Sequence, residues 1–280
     1  MERNAEDEKK YINLSNVENL PHSELFKEVA TVIAEKNLQY VNDHDVIPAL
    51  KNTFYSRYGK RMLDVCLSSI ALVVTLPLNL VLGMLTFFDV GRPIFFHQKR
   101  VGKNNKLFVL TKFRNMTNDK DKNGDLLPPS ERVTRLGKFV RKTSIDELLN
   151  FWSVFKGDMS LIGPRPLLTE YIERYSERHK KRHLVKPGLE CPIMNLNNNR
   201  DAWGKQFEND VYYVEHISLG LDLKMTLALV RMVFDRKSRE ARGSGMRGTF
   251  MGYERDGSTI DSCKVPIEYY EEAVQRLECE

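Results

Sequence analysis

The segment that most constrains this chain runs from Val65 to Phe88, VCLSSIALVVTLPLNLVLGMLTFF, and carries no charge. As a straight helix its 24 residues would measure about 36 Å, enough to cross the hydrocarbon core of a bilayer. A helix that is apolar on every side has no face for water, which favours a membrane over the core of a soluble protein. Pro77 stands at the middle, where it removes a backbone hydrogen bond and kinks or breaks a helix. Both flanks are basic, with Arg57, Lys60 and Arg61 before the segment and Arg92, Lys99 and Arg100 after it. Positive residues stay on the cytoplasmic side, so both ends are expected there. The pattern predicts a re-entrant helix-break-helix hairpin held in one leaflet. Asp64, at its mouth, is expected at headgroup depth and paired with Arg61 or Lys60.

Outside this segment the chain has the composition of a folded protein, 41% apolar and 29% charged, with room in 280 residues for one substantial domain and extensions. A net charge of +5 suits an anionic partner and does not choose among nucleic acid, a phosphorylated ligand and a lipid surface. Cys66, Cys191, Cys263 and Cys279 are scattered, with no C-x-x-C pair and no histidine at zinc-finger spacing. Neither a metal knuckle nor a disulfide framework is indicated, and a reducing cytosolic setting is expected. The opening MERNAEDEKK is charged and is not expected to act as a secretory signal.

Residues 1–50 are polar with short apolar stretches and read as a loosely helical N-terminal extension. PIFFHQKRVG and KLFVLTKFRNM predict two strands joined near Lys103–Asn105, followed by a polar loop over Thr117–Pro129. In SERVTRLGKFVRKTS, Val133, Leu136 and Val140 fall at helical spacing among Arg132, Arg135, Lys138 and Arg141. Such a basic amphipathic helix lies on an anionic membrane or packs as a solvated helix on the core. SIDELLNFWSVF predicts a second helix, LLTEYIERYSERHKKRH a third, and Leu221–Phe234 an apolar fourth. Residues 237–280 read as a tail with a short helix at Ile267–Leu277.

Ser144-Ile145-Asp146-Glu147 is the most informative short stretch. Ser144 and Glu147 have the spacing of a capping box, a common helix start. A helix start also attracts anions, so a phosphate would be welcome beside Asp146. Adjacent helical residues point about 100° apart, which suits Asp146 and Glu147 to two jobs, such as nucleophile and metal ligand. The capping and functional readings are compatible. Lys112, Arg114, Arg141 and Arg165 surround this stretch in sequence, and Pro164 and Pro166 stiffen the presentation of Arg165. Guanidinium groups match two phosphate oxygens at once.

The order RMLDVCLSSIALVVTLPLNLVLG, GRPIFFHQKRVG, KFRNM, KTSIDELLNFWSVFKGDMSLIGPRPLL, RHLVKPG and DVYYVEHISLGLDLKM resembles the bacterial sugar transferases, the monotopic polyprenyl-phosphate phosphoglycosyl transferases. The resemblance covers residues 57–236. It implies an α/β, mostly helical, membrane-associated domain with interfacial helices and a small β element, on the cytoplasmic face of the bacterial cytoplasmic membrane. It implies transfer of a sugar 1-phosphate from a UDP-sugar to undecaprenyl phosphate with release of UMP, the first membrane step of a glycan pathway. Asp146 would be the nucleophile and Glu147 the residue associated with Mg²⁺. Lys112, Arg141, Arg165 and Asp222 would bind substrate, while Asp64 and Pro77 belong to the anchor. Expected partners are the two substrates, inner-leaflet lipids and other enzymes of the pathway, with no nucleic acid. A membrane-tethered scaffold without catalysis is the rival reading. After KPG, where relatives read close to G-(W/F)-A-Q-V-N-G-R-N, this chain has LECPIMNLNNNRD, with Arg200 displaced by two positions.

Overall fold

The computed structural model describes residues 10–17, 22–122, 124, 126–193, 201–234 and 248–279, so Arg200 and the link at 235–247 lie outside the described residues. The elements run β1 (Tyr11–Ile12), α1 (His22–His44), α2 (Lys60–Val90), β2 (Phe95–Val101), β3 (Leu107–Phe113), α3 (Pro129–Arg132), α4 (Arg135–Thr143), α5 (Asn150–Lys156), β4 (Ser160–Ile162), α6 (Glu177–Lys180), β5 (Gly188–Glu190), α7 (Ala202–His216) and α8 (Leu219–Phe234). They close with β6 (Phe250–Tyr253), β7 (Thr259–Asp261), β8 (Val265–Pro266) and α9 (Ile267–Cys279). Helices dominate, and the described strands pair into small two-stranded sheets, in keeping with the expected α/β, mostly helical class.

A π-helical turn at Tyr55–Gly59 leads directly into α2. The helical backbone of α2 continues through Pro77, where the sequence predicts a break. A proline removes one donor but has a helical φ, so the ladder resumes beyond it. Burial along α2 is confined to its two ends, Lys60, Asp64 and Ser68 at one and Leu82 and Thr86 at the other. Between them Val73, Val74, Leu76, Leu78 and Leu80 are exposed. Both ends engage the same body. Asp64 Oδ1 accepts hydrogen bonds from Ser160 Oγ and the Leu161 amide, each at 3.0 Å. Leu82 packs with Phe113 and Val140. The expected pairing of Asp64 with Arg61 or Lys60 is absent. Lys60 Nζ lies 2.7 Å from the buried Asp222 carboxylate on α8 instead, while Asp64 is satisfied by the neutral donors of β4. Arg61 donates to the Val154 and Phe155 carbonyls at 2.7 Å, satisfying the C-terminal end of α5.

β2 and β3 form the expected hairpin, in antiparallel register from Phe95↔Phe113 to Val101↔Leu107. Asn104 and Asn105 turn it with φ of 55° and 59°. Asparagine tolerates this left-handed region better than most residues. β4 and β5 pair in parallel and are followed closely by backbone-to-backbone packing, since a Cβ on Gly188 would come within 2.1 Å of the Gly163 amide nitrogen. That approach fixes the Pro164–Pro166 segment beside β5. The helix expected over LLTEYIERYSERHKKRH is interrupted. A 3-10 turn covers Thr169–Arg174, Ser176 caps α6, and a second turn follows at Lys181–Leu184. The break lies at Tyr175 and Ser176, whose backbones are extended with ψ of 139° and 157°, and the Ser176 side chain accepts from the His179 amide to start α6 afresh.

The two ends of the chain share one core. Leu25, Val29, Val32 and Ile33 of α1 pack with Met251, Ile260, Val265, Tyr269 and Ala273, and β1 pairs with β8. Gly252, at φ 148°, lies under Ile33, where a Cβ would come within 2.5 Å of the Ile33 side chain. α9 includes the short helix expected at 267–277. Phe250 and Tyr253 of β6 join a second cluster with Tyr171, Tyr175, Trp203 and Phe207, which ties this terminal unit to the rest.

Candidate active site

Asp146 sits in a short 3-10 turn, Ile145–Glu147, between α4 and α5. Ser144 precedes it at φ 56° and its side chain makes no capping bond. The capping box is therefore not formed, because a serine cap needs the extended backbone that this left-handed residue lacks. The turn delivers Asp146 into the interior, where it is 5% exposed. Asn115, just beyond β3, donates from Nδ2 to Asp146 Oδ2 at 3.0 Å and accepts at Oδ1 from Arg141 Nε at 3.0 Å. One amide thus couples the arginine to the carboxylate and is oriented by both. Asn115 belongs to the KFRNM block, but nothing in its spacing marks it as a site residue.

Burial pushes the Asp146 carboxyl up to about 6, and the Glu147 charge adds to the rise. Lys112, the Asp146 amide and Arg141 act in the opposite sense. Lys112 lies on β3 with its ammonium 5.6 Å from the centre of the Phe96 ring. Burial lowers its pKa, while Asp146 and Glu147 favour its charged form. The result is a desolvated carboxylate among partly desolvated cations, the setting that activates a nucleophile toward a phosphorylated substrate.

On the other side, Arg165 Nη2 lies 2.7 Å from Glu147 Oε1 and Nη1 lies 3.0 Å from Glu190 Oε2. The loop that carries Arg165 is held from behind. Arg182, 1% exposed, donates from Nη2 to the Arg165 carbonyl at 2.8 Å and from Nη1 to Tyr175 Oη at 3.0 Å. Its charge is met by the buried Asp210 at 2.7 Å. Glu190, Arg182 and Asp210 are all missed by sequence reasoning. Their roles arise from packing across distant segments and leave no local signature.

Lys112, Arg141 and Arg165 therefore converge on the Asp146–Glu147 pair. Asp222 does not join them. Its carboxylate accepts from Lys60, from Tyr55 Oη and, at 2.7 Å, from Tyr213 Oη, so it fastens the start of α2 to α7 and α8. Asp64 fastens the same end of α2 to β4, and Pro77 lies in its exposed middle.

Residues 55–236 match the family described as bacterial sugar transferase. The chain is 42% identical over 174 residues to the uncharacterized sugar transferase EpsL of Bacillus subtilis (strain 168), covering 62% of this chain and 86% of EpsL. It is 31% identical to the UDP-N-acetylgalactosamine-undecaprenyl-phosphate N-acetylgalactosaminephosphotransferase of Aeromonas hydrophila, over 72% of this chain and 50% of that protein. With the UDP-glucose:undecaprenyl-phosphate glucose-1-phosphate transferase of Klebsiella pneumoniae the identity is 33%, over 74% and 47%. The chain thus spans most of EpsL and about half the length of the other two. The matched region holds α2, the hairpin, the carboxylate pair and the arginine loop together, and the chain belongs to the bacterial sugar transferase family.

Proposed function

We propose that this chain transfers a sugar 1-phosphate from a UDP-sugar to undecaprenyl phosphate through a covalent intermediate on Asp146. The observation that carries this reading is the buried Asp146 carboxylate, oriented by Asn115 and faced by Lys112 and Arg141. An Asp146 oxygen attacks the sugar-bearing phosphorus of the diphosphate. The new O–P bond forms as the bridging P–O bond breaks, and the electron pair leaves on UMP. A phosphate oxygen of the lipid then attacks the same phosphorus and Asp146 departs as a carboxylate. The cations stabilise charge that grows on the phosphoryl oxygens.

Mg²⁺ fits this site in a limited way. Among the described residues no group of three or more His, Cys, Asp or Glu could hold a metal, so a dedicated cage is not built. Mg²⁺ commonly takes one or two carboxylates and completes its shell with substrate phosphates and water. Glu147, with its side chain 28% exposed beside Asp146, offers that carboxylate. The bound ion would neutralise the diphosphate.

The membrane supplies the acceptor. Re-entry of α2 from the cytoplasmic face is supported by burial at both ends against one body and by the basic flanks. Leu219, Leu223, Leu227 and Val230 leave an exposed apolar stripe on α8, and Trp152 is exposed beside α2, as an interfacial body requires. An apolar trough lined by Leu72, Leu76, Leu80, Phe87, Phe113 and Trp152 runs beside α2 and suits an isoprenoid chain. The lipid product would pass to later enzymes of a glycan pathway. Purified protein, Mg²⁺, a panel of UDP-sugars and a short polyprenyl phosphate test the reaction. The expected result is UMP and a polyprenyl-diphosphate sugar with at least one donor. Without acceptor, one equivalent of UMP and a hexose-phosphate mass on the peptide containing Asp146 are expected. Absence of UMP release with every donor would overturn the proposal.

A further inference from the structure

Lys112 acts on both members of the carboxylate pair, while Arg141, joined by Asn115, acts on Asp146. Arg165 acts on Glu147, and both Arg165 and Glu147 act electrostatically on Arg100. Arg100 lies near the end of β2 opposite Phe108, and Lys112 lies on β3 opposite Phe96. Alternate residues share a sheet face, so Arg100, Gln98 and Lys112 stand on the same one. The neighbouring Val101 amide donates to the Leu167 carbonyl at 3.4 Å, tying this end of β2 to the segment that carries Arg165.

Arg100 is poorly matched to its surroundings. Its hydrogen-bond partner is the neutral Gln98, whose Oε1 lies 2.6 Å from Nη2, and no carboxylate bonds it among the described residues. Its Nε is buried without a partner. A half-buried guanidinium beside a second arginine, with an orphaned donor, is costly unless an anion completes it. Arg182 and Arg178, by contrast, each have a carboxylate in place.

We propose that Arg100 binds the phosphate lying opposite Asp146 across the transferred phosphorus. In phosphoryl transfer the attacking and leaving oxygens are roughly in line. When Asp146 attacks, the UMP phosphate departs on the far side, and the lipid phosphate later enters by the same side. Both are phosphate monoesters, and a guanidinium suits either. This inference rests on the covalent reading above, which acceptor-free UMP release by the wild type tests separately.

The test uses Arg100→Gln and Arg100→Lys in the full chain. UMP binding with Mg²⁺ is measured by calorimetry, and the two half-reactions are timed apart. Arg100→Gln is expected to weaken UMP binding about tenfold and to slow UMP release about 100-fold, in the range seen on removing one charge-stabilising donor. The KM for a short polyprenyl phosphate should rise as well, with the melting temperature unchanged. Arg100→Lys should recover part of each loss, because the charge remains and the two-pronged geometry does not. A loss confined to the UMP arm assigns Arg100 to the nucleotide, and one confined to the lipid arm assigns it to the acceptor. UMP affinity and both half-reactions within about twofold of wild type in Arg100→Gln would overturn the proposal. Should that variant fail to fold, unchanged values in Arg100→Lys would do the same. If the wild type releases no UMP, the covalent reading fails, while UMP binding that depends on Arg100 still stands.

Discussion

Burying Asp146 carries a cost to the fold. Its carboxyl is held at about 6, above the ordinary aspartate value, chiefly by burial. The folded state therefore binds this proton more tightly than the unfolded state does. Its contribution is most favourable below about pH 4, is lost as pH rises to about 6, and stays unfavourable beyond. The difference corresponds to roughly 3 kcal/mol above pH 7. Asp146→Asn is thus expected to raise the melting temperature at pH 8 and to leave it unchanged near pH 4, while UMP release falls by orders of magnitude. A variant that melts lower at pH 8 would mean that the carboxylate is a structural anchor. Of this site, the Asp-Glu pair and the proline-flanked Arg165 are legible in the sequence, because their chemistry is carried by adjacent letters. Asn115 and Arg182 are not, since an amide and an arginine gain their meaning only from the carboxylate and the carbonyl that folding brings to them.

At the scale of one element, α2 behaves as an apolar arm with both ends held. Lys60 and Asp64 fix its start to Asp222 and β4, and Leu82 fixes its far half to β3 and α4. Single cysteines at residues 57 and 92, in a chain freed of Cys66, Cys191, Cys263 and Cys279, should both resist an impermeant thiol reagent in intact cells. Labelling at either one would convert the re-entrant reading into a span. Pro77→Leu should restore a full hydrogen-bond ladder and shift a fraction of molecules toward that span. The apolar run and its basic flanks announce this arm plainly. What the sequence hides is the role of Asp222, which sits in an LDLK block next to apolar residues and reads equally well as a substrate ligand. The convergence of Lys60, Tyr55 and Tyr213 on its carboxylate, from residues as far as 167 positions away, ties α2, α7 and α8 together through contacts that no local spacing announces. The stretch after Leu167 keeps helical spacing but is divided at Tyr175 and Ser176, where extended backbone and the Ser176 cap start a new helix.

For the whole molecule, the added ends form a unit whose link to the chemistry runs through aromatic packing. Ile33 and Phe250 are both fully buried, but they lie in different clusters. Ile33 serves the terminal unit alone, against Met251, Val265 and Tyr269. Phe250 stacks on Tyr175 with ring centres 5.8 Å apart, Tyr175 accepts from Arg182, and Arg182 holds the Arg165 carbonyl. Truncation of either side chain should cost about 2–5 kcal/mol. The consequences should differ. Ile33→Ala is expected to open α1 and α9 to limited proteolysis while acceptor-free UMP release stays within about twofold of wild type. Phe250→Ala is expected to lower the main melting transition and also the rate of UMP release, because Arg165 loses its backing when Tyr175 and Arg182 shift into the cavity. Arg165→Lys in the Phe250→Ala background should then cost less than it does alone, since residues in one packed chain do not act additively. If the two substitutions prove additive in UMP release, the aromatic cluster stabilises the fold without positioning Arg165, and the terminal unit is a neighbour of the chemistry rather than a support for it.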